Sequence, residues 1–263
     1  MENIFKNQLL TSAVIIAAGL ALSGCGSSGG GTTVTSPNGI YTGAITGGDV
    51  SSTGAEEKAI IYNNRMLVLS NNANGVSQIF DASLSDSENS LAATGFRYGA
   101  TGLQLNNVTY DGSYIEGQSA AVSFSEITTG TPTLPSGSIA LTAQSNVYSK
   151  GSDISRLAGS WTGIFDSGFG LSMTLIIDAS GNIANGSADL FTEGCVFTGS
   201  LSIINSAINA YTVNLISDGG SGQCILLAGA YPGLAWTEGD TNGTLVLMAA
   251  DGNRGRAVVL TKN

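Results

Sequence analysis

The stretch Gly39-Ile40-Tyr41-Thr42-Gly43-Ala44-Ile45 returns in the second half of the chain as Gly159-Ser160-Trp161-Thr162-Gly163-Ile164-Phe165. This echo divides the sequence into two halves, each opening about 100 residues of similar texture. Within both, short apolar runs are broken by Asn-Asn, Asn-Gly, Asp-Gly, Ser-Gly and Gly-Gly pairs, the punctuation of β-hairpins. Outside the N-terminal segment no stretch keeps the three-and-four apolar spacing of an amphipathic helix. The single candidate helical turn is Ser152-Asp153-Ile154-Ser155-Arg156-Leu157.

The runs predict strands near 39–46, 57–62, 65–70, 77–84, 91–98, 103–109, 113–125 and 137–144 in the first half. In the second they fall near 158–165, 171–177, 183–190, 195–203, 209–216, 223–231, 243–249 and 255–262. The expected fold class is therefore all-β, with two tandem antiparallel domains of about eight strands each. Closure as up-and-down barrels leaves no unpaired edge; a sandwich of the same strand count is the alternative. The N-terminal β domain is placed at 38–147 and a C-terminal β-barrel-like domain at 152–263, with the boundary in Tyr148-Ser149-Lys150-Gly151-Ser152. Asp178-Ala179-Ser180-Gly181-Asn182 lies between two runs and reads as a hairpin loop. It lacks the further ligand positions and terminal Glu of a calcium loop.

Ahead of the two halves, residues 1–24 have the layout of a secretory signal: a polar start carrying Lys6, then a largely apolar run from Leu9 to Leu22. That run is too short to cross a hydrocarbon core as a helix, which takes about 20 residues. It closes on Leu22-Ser23-Gly24-Cys25, which resembles the lipobox of bacterial lipoprotein signal peptides. The resemblance implies cleavage before Cys25 and acylation of its thiol and new amine. Each buried methylene would strengthen the anchor by about 0.8 kcal/mol. Gly26 follows in place of the Asp that holds many such lipoproteins in an inner membrane, so the resemblance implies the outer membrane, with periplasmic and surface-facing sides both open. Residues 25–37 continue as a Gly, Ser and Thr tether with a reach on the order of 15–20 Å. Within it, Gly26-Ser27-Ser28-Gly29-Gly30 matches the hydrolase G-x-S-x-G pattern in letters alone, because that elbow needs a strand before it, a helix after it and a histidine base.

The formal net charge of −10 makes nucleic acid an unsuitable partner, since a polyanion needs a basic face. The chain has no histidine, which removes the imidazole base and the histidine metal ligand. The nearest carboxylate pairs are Glu56-Glu57, Asp86 with Glu88, and Glu238 with Asp240, all in predicted loops where solvated acidic turns are the expected reading. No Gly-rich run opens a helix, so a phosphate cradle is unsupported. No enzyme, cofactor or metal site is expected.

With Cys25 acylated, Cys195 and Cys224 remain, and export to an oxidising compartment predicts a disulfide between them. Closing that loop would stabilise the fold by roughly 3.5 kcal/mol. In a strict meander the two cysteines would start strands that are second neighbours, about 9–10 Å apart, whereas a disulfide needs alpha carbons within about 7 Å. Either the loops before those strands fold together, or the connectivity is not a simple meander.

Gly159-Ser160-Trp161, after a candidate helical turn and at the start of a strand, resembles the opening of lipocalin-like barrels. The resemblance implies that Trp161 packs across a closed barrel end against a basic residue near the last strand, with Arg256 better placed than Arg254. The run through Gly194-Cys195-Val196-Phe197, Tyr211, Cys224 and Tyr231-Pro232-Gly233-Leu234 is similar to uncharacterised bacterial lipoproteins with paired β domains. Two functions follow as expectations. One is a lipid-anchored envelope protein with a structural or protein-interaction role, attached to the membrane through its lipid. The alternative is a carrier of a small apolar ligand, with Trp161, Phe197, Tyr211 and Trp236 as the principal lining residues and Phe165 and Tyr231 beside them.

Overall fold

The computed structural model describes residues 36–47, 56–72, 75–87, 89–99, 102–127, 136–166, 171–188, 195–219, 228–239 and 243–263. The expected signal peptide, Cys25 and nearly all of the expected tether lie outside the described residues. The chain forms two closed eight-stranded antiparallel barrels, so closure rather than a sandwich resolves the edges. The first comprises β1 (Gly39–Gly47), β2 (Glu57–Tyr62), β3 (Arg65–Asn72), β4 (Gly75–Ser87), β5 (Ser90–Gly99), β6 (Gln104–Ile115), β7 (Ser119–Ile127) and β8 (Ser136–Ala143). Two short helical turns follow, α1 (Ser145–Tyr148) and α2 (Ile154–Leu157). The second barrel comprises β9 (Gly159–Asp166), β10 (Leu171–Ile177), β11 (Asn182–Ala188), β12 (Cys195–Ile203), β13 (Tyr211–Ser217), β14 (Gly229–Glu238), β15 (Thr244–Ala250) and β16 (Gly255–Lys262).

The two copies of the echo are the opening strands β1 and β9, and they do the same structural work. Tyr41 and Trp161 both point inward and are fully buried. The Tyr41 hydroxyl donates to Pro37 O at 2.5 Å, and Trp161 Nε1 donates to Leu157 O at 2.7 Å, each four residues back along the chain. Each buried ring thereby holds the residue that leads into its barrel, Pro37 in the first and Leu157 of α2 in the second. Gly43 and Gly163 sit at the seams where the first strand meets the last. A Cβ on Gly43 would lie 1.9 Å from Ala140 O, and one on Gly163 2.2 Å from Val259 O. Gly43→Ala is therefore expected to push β1 off β8 and lower stability by about 1–3 kcal/mol, read as a reduced thermal midpoint.

Three expectations are corrected by the strand boundaries. Asp111-Gly112 does not end a strand: β6 runs through it to Ile115, and the turn comes at Glu116-Gly117-Gln118. Gly112 serves a close approach instead, since a Cβ there would lie 2.1 Å from Ala121 O. The strand expected at 223–231 starts later, as β14 from Gly229, and carries Trp236 within it. Finally, the presumed boundary around Tyr148 holds the unanticipated turn α1 ahead of α2, whose N-cap Asp153 accepts from Ser155 N at 2.9 Å.

The barrels share a third apolar cluster besides their two interiors. It unites outward residues of the first barrel, Ile60, Leu67, Leu69, Ile79 and Tyr98 among them, with Leu234, Trp236, Val246, Met248 and Ala257 of the second. Strands contributing to it are buried on both faces, as in Leu245–Ala250 of β15 and Met66–Ser70 of β3. Polar links border the seam. Lys58 Nζ meets Glu238 Oε2 at 2.6 Å, and Arg65 forks onto Asp81 while also donating to Pro232 O at 3.2 Å. Backbone pairing crosses it as well, through the Leu103–Arg254 bridge and Gly255 N to Gly102 O at 3.0 Å.

Candidate functional site

Four aromatic residues were expected to line a ligand cavity, and the structure brings three of them together. Trp161, Phe197 and Tyr211 are fully buried in the core of the second barrel with Tyr231, Leu157 of α2 and inward aliphatics such as Leu175, Leu215 and Leu247. Their polar atoms are engaged by the segment that plugs the barrel end. Trp161 Nε1 reaches Leu157 O, while the Tyr211 hydroxyl accepts from Asp153 N at 3.0 Å and donates to Asp153 O at 3.2 Å. Trp236 is elsewhere: its side chain faces outward from β14, fills the seam and donates from Nε1 to Glu238 Oε1 at 3.0 Å. One-residue alternation separates it from Ala235, which faces the interior. The Phe165 side chain lies outside the described residues.

A basic group does pack on Trp161, but it is neither Arg256 nor Arg254. Lys262 Nζ lies 5.3 Å from the Trp161 ring centroid, a cation–π distance, and donates to Arg156 O at 3.0 Å. The register explains the change. Lys262 on β16 is the direct antiparallel partner of Trp161 on β9, whereas buried Arg256 lies at the opposite end of β16, under Gly102 of the first barrel.

The first barrel holds the polar cluster that sequence reasoning missed. At the end where β2 begins and β7 finishes, the interior changes from apolar to polar on six consecutive strands: Glu57, Ser70, Gln78, Arg97, Asn106 and Glu126. Glu57, Ser70, Arg97 and Glu126 are each no more than 1% exposed. Ser70 Oγ donates to Glu57 Oε1 at 3.1 Å, and Arg97 Nη1 to Gln78 Oε1 at 3.3 Å. Arg97 Nη2 meets Glu126 Oε1 at 2.7 Å, and Asn106 Nδ2 donates to Glu126 Oε2. This collar ties β4, β5, β6 and β7 together and couples opposite charges to each other. A signal for it does exist in the sequence, because Ala120, Val122, Phe124 and Glu126 occupy alternate positions of β7, which places the carboxylate on the inward phase.

Of the acidic pairs, Glu56-Glu57 alone lies wholly among the described residues. Glu57 is inward and buried while its neighbour Glu56 is exposed, correcting the expectation that both are solvated. Glu238 pairs with Lys58; Asp240, Glu88 and the Asp86 side chain lie outside the described residues. Asp178 closes its own loop, accepting from Ser180 N at 2.8 Å and Asn182 N at 2.9 Å. Those hydrogen bonds hold its carboxyl below the usual range, with the Asn182 side chain contributing most. Cys195 begins β12, but its side chain and all of Cys224 lie outside the described residues.

Neither protein-family models nor curated proteins match this sequence.

Burial raises several of the tyrosines. Desolvation pushes Tyr41 up to about 12, and it also lifts Tyr98, Tyr110 and Tyr211 above the ordinary phenol value. An unfolded tyrosine ionises near pH 10, so above that pH the folded state binds more protons than the unfolded one. The stabilisation is complete below about pH 10 and is lost as pH rises toward the folded values, at up to about 1.4 kcal/mol per pH unit for each such tyrosine. Urea unfolding at a series of alkaline pH values, with phenolate absorbance recorded in parallel, is expected to show stability falling before the buried tyrosines ionise.

Proposed function

We propose that this is a lipid-anchored envelope protein with a structural or protein-binding role rather than a catalytic one. The observation that carries the reading is the state of the second barrel's aromatic residues. Trp161, Phe197 and Tyr211 are packed at 0% exposure, and the polar atoms of Trp161 and Tyr211 are engaged by the plug. A carrier would keep such groups at the wall of a cavity; here they are core. The first barrel supports the same reading, since Tyr41, Phe80 and Phe124 fill its interior and its collar residues hydrogen-bond one another. Binding then belongs to outer surfaces and loops.

The lipobox-like Leu22-Ser23-Gly24-Cys25 supplies the anchor in this reading, and Gly26 favours an outer membrane. Cys195 and Cys224 pair with each other after export. Cys25→Ala is expected to abolish labelled palmitate uptake and release the protein from membranes, with no free thiol in the unreduced, unfolded chain. A variant that still partitions with membranes would overturn the anchor, and two free thiols would overturn the disulfide.

A further inference from the structure

The outer face of β4, β5 and β6 carries two adjoining depressions of about 350 Å³ and 480 Å³ that share Ser83 and Thr94. Antiparallel register sets out their chemistry in rows across the strands. Asp81, Phe96, Asn107 and Ile127 are successive partners in one row, and Ser83, Thr94, Thr109 and Ser125 in the next. The first depression therefore combines a half-buried aromatic ring with a carboxylate, an amide and hydroxyls; the second is bordered by hydroxyls and small apolar groups.

Charge and hydrogen-bond capacity narrow what fits. Asp81 is held by the Arg65 fork, with both bonds at 2.8 Å, so the acid in the groove is neutralised yet keeps lone pairs free to accept. Asn107 Oδ1 accepts from Gln104 Nε2 at 2.8 Å, which leaves its amide hydrogens for a ligand. A polyanion would meet a chain of net charge −10, and an extended peptide would find no open strand edge on a closed barrel. A sugar ring meets the requirement: its C–H face suits Phe96, and its hydroxyls both donate and accept. Two joined depressions suit more than one ring.

We propose that this groove binds a neutral oligosaccharide. The proposal rests on the reading that the barrel interiors are filled and that recognition is external. Its test is calorimetric titration of the full chain in detergent with glucan oligomers and N-acetylhexosamine oligomers of increasing length. Saturable binding that strengthens beyond one sugar unit is expected, weakened roughly tenfold or more by Asn107→Leu and by Thr94→Val. Both positions are exposed, so thermal unfolding of the variants should match the parent. No saturable binding in either series, or affinity unchanged in both variants, overturns the proposal. Binding that survives both substitutions and shifts Trp161 emission would place the sugar inside a barrel and overturn the filled-interior reading as well.

Discussion

Trp236→Ala is expected to destabilise the protein by about 3–5 kcal/mol, although the residue touches neither barrel's interior. Its indole is fully buried in the seam, where removal leaves a cavity between two curved sheets that cannot collapse without breaking barrel closure. The loss of its hydrogen bond to Glu238 adds to the effect, because Glu238 also holds Lys58 across the seam. The parent should unfold in one denaturant transition, since shared apolar burial couples the barrels. In the variant, equilibrium unfolding by circular dichroism should shift to lower denaturant and separate into two steps. An unchanged midpoint would mean that the seam contributes little.

The second large effect belongs to the collar. Arg97→Met would leave the Glu126 carboxylate, 0% exposed, without its 2.7 Å partner, and removal of one member of a buried pair costs about 3–5 kcal/mol. Glu126→Leu should cost a similar amount by stranding the guanidinium. The double variant Arg97→Met, Glu126→Leu removes both charges and is expected to recover at least half of either loss, since an apolar replacement of a buried pair is often near neutral. Denaturant unfolding of all four proteins completes the cycle. Strictly additive losses would show that the two side chains do not act as a pair.

Much of this architecture was legible because strand periodicity and hairpin punctuation are local. The echo at Gly39 and Gly159 located both opening strands, and regular alternation, as in Tyr211, Val213, Leu215 and Ser217 of β13, marks a wall with one face in the core. What escaped the sequence depended on long-range placement. Asp111-Gly112 has the composition of a turn, but its glycine answers to a neighbouring carbonyl on β7. Trp236 reads from the sequence as a lining residue of the ligand carrier, yet the phase of β14 turns it outward into the seam. The unbroken apolar run Leu245-Val246-Leu247-Met248 was the available clue: a wall strand buried on both faces implies a second apolar neighbour. Arg256 and Arg254 are the basic candidates that the sequence offers for Trp161, and only the β9–β16 register shows that Lys262 stands opposite it.

The filled interior is tested most directly by the emission of Trp161, isolated in a Trp236→Phe variant that keeps an aromatic ring in the seam. Titration with fatty acids, haem and quinones should leave its wavelength and intensity unchanged, because the indole is enclosed by core side chains and its N–H is held by Leu157 O. A saturable shift with any of these ligands would show that the second barrel opens to cargo and would contradict the account.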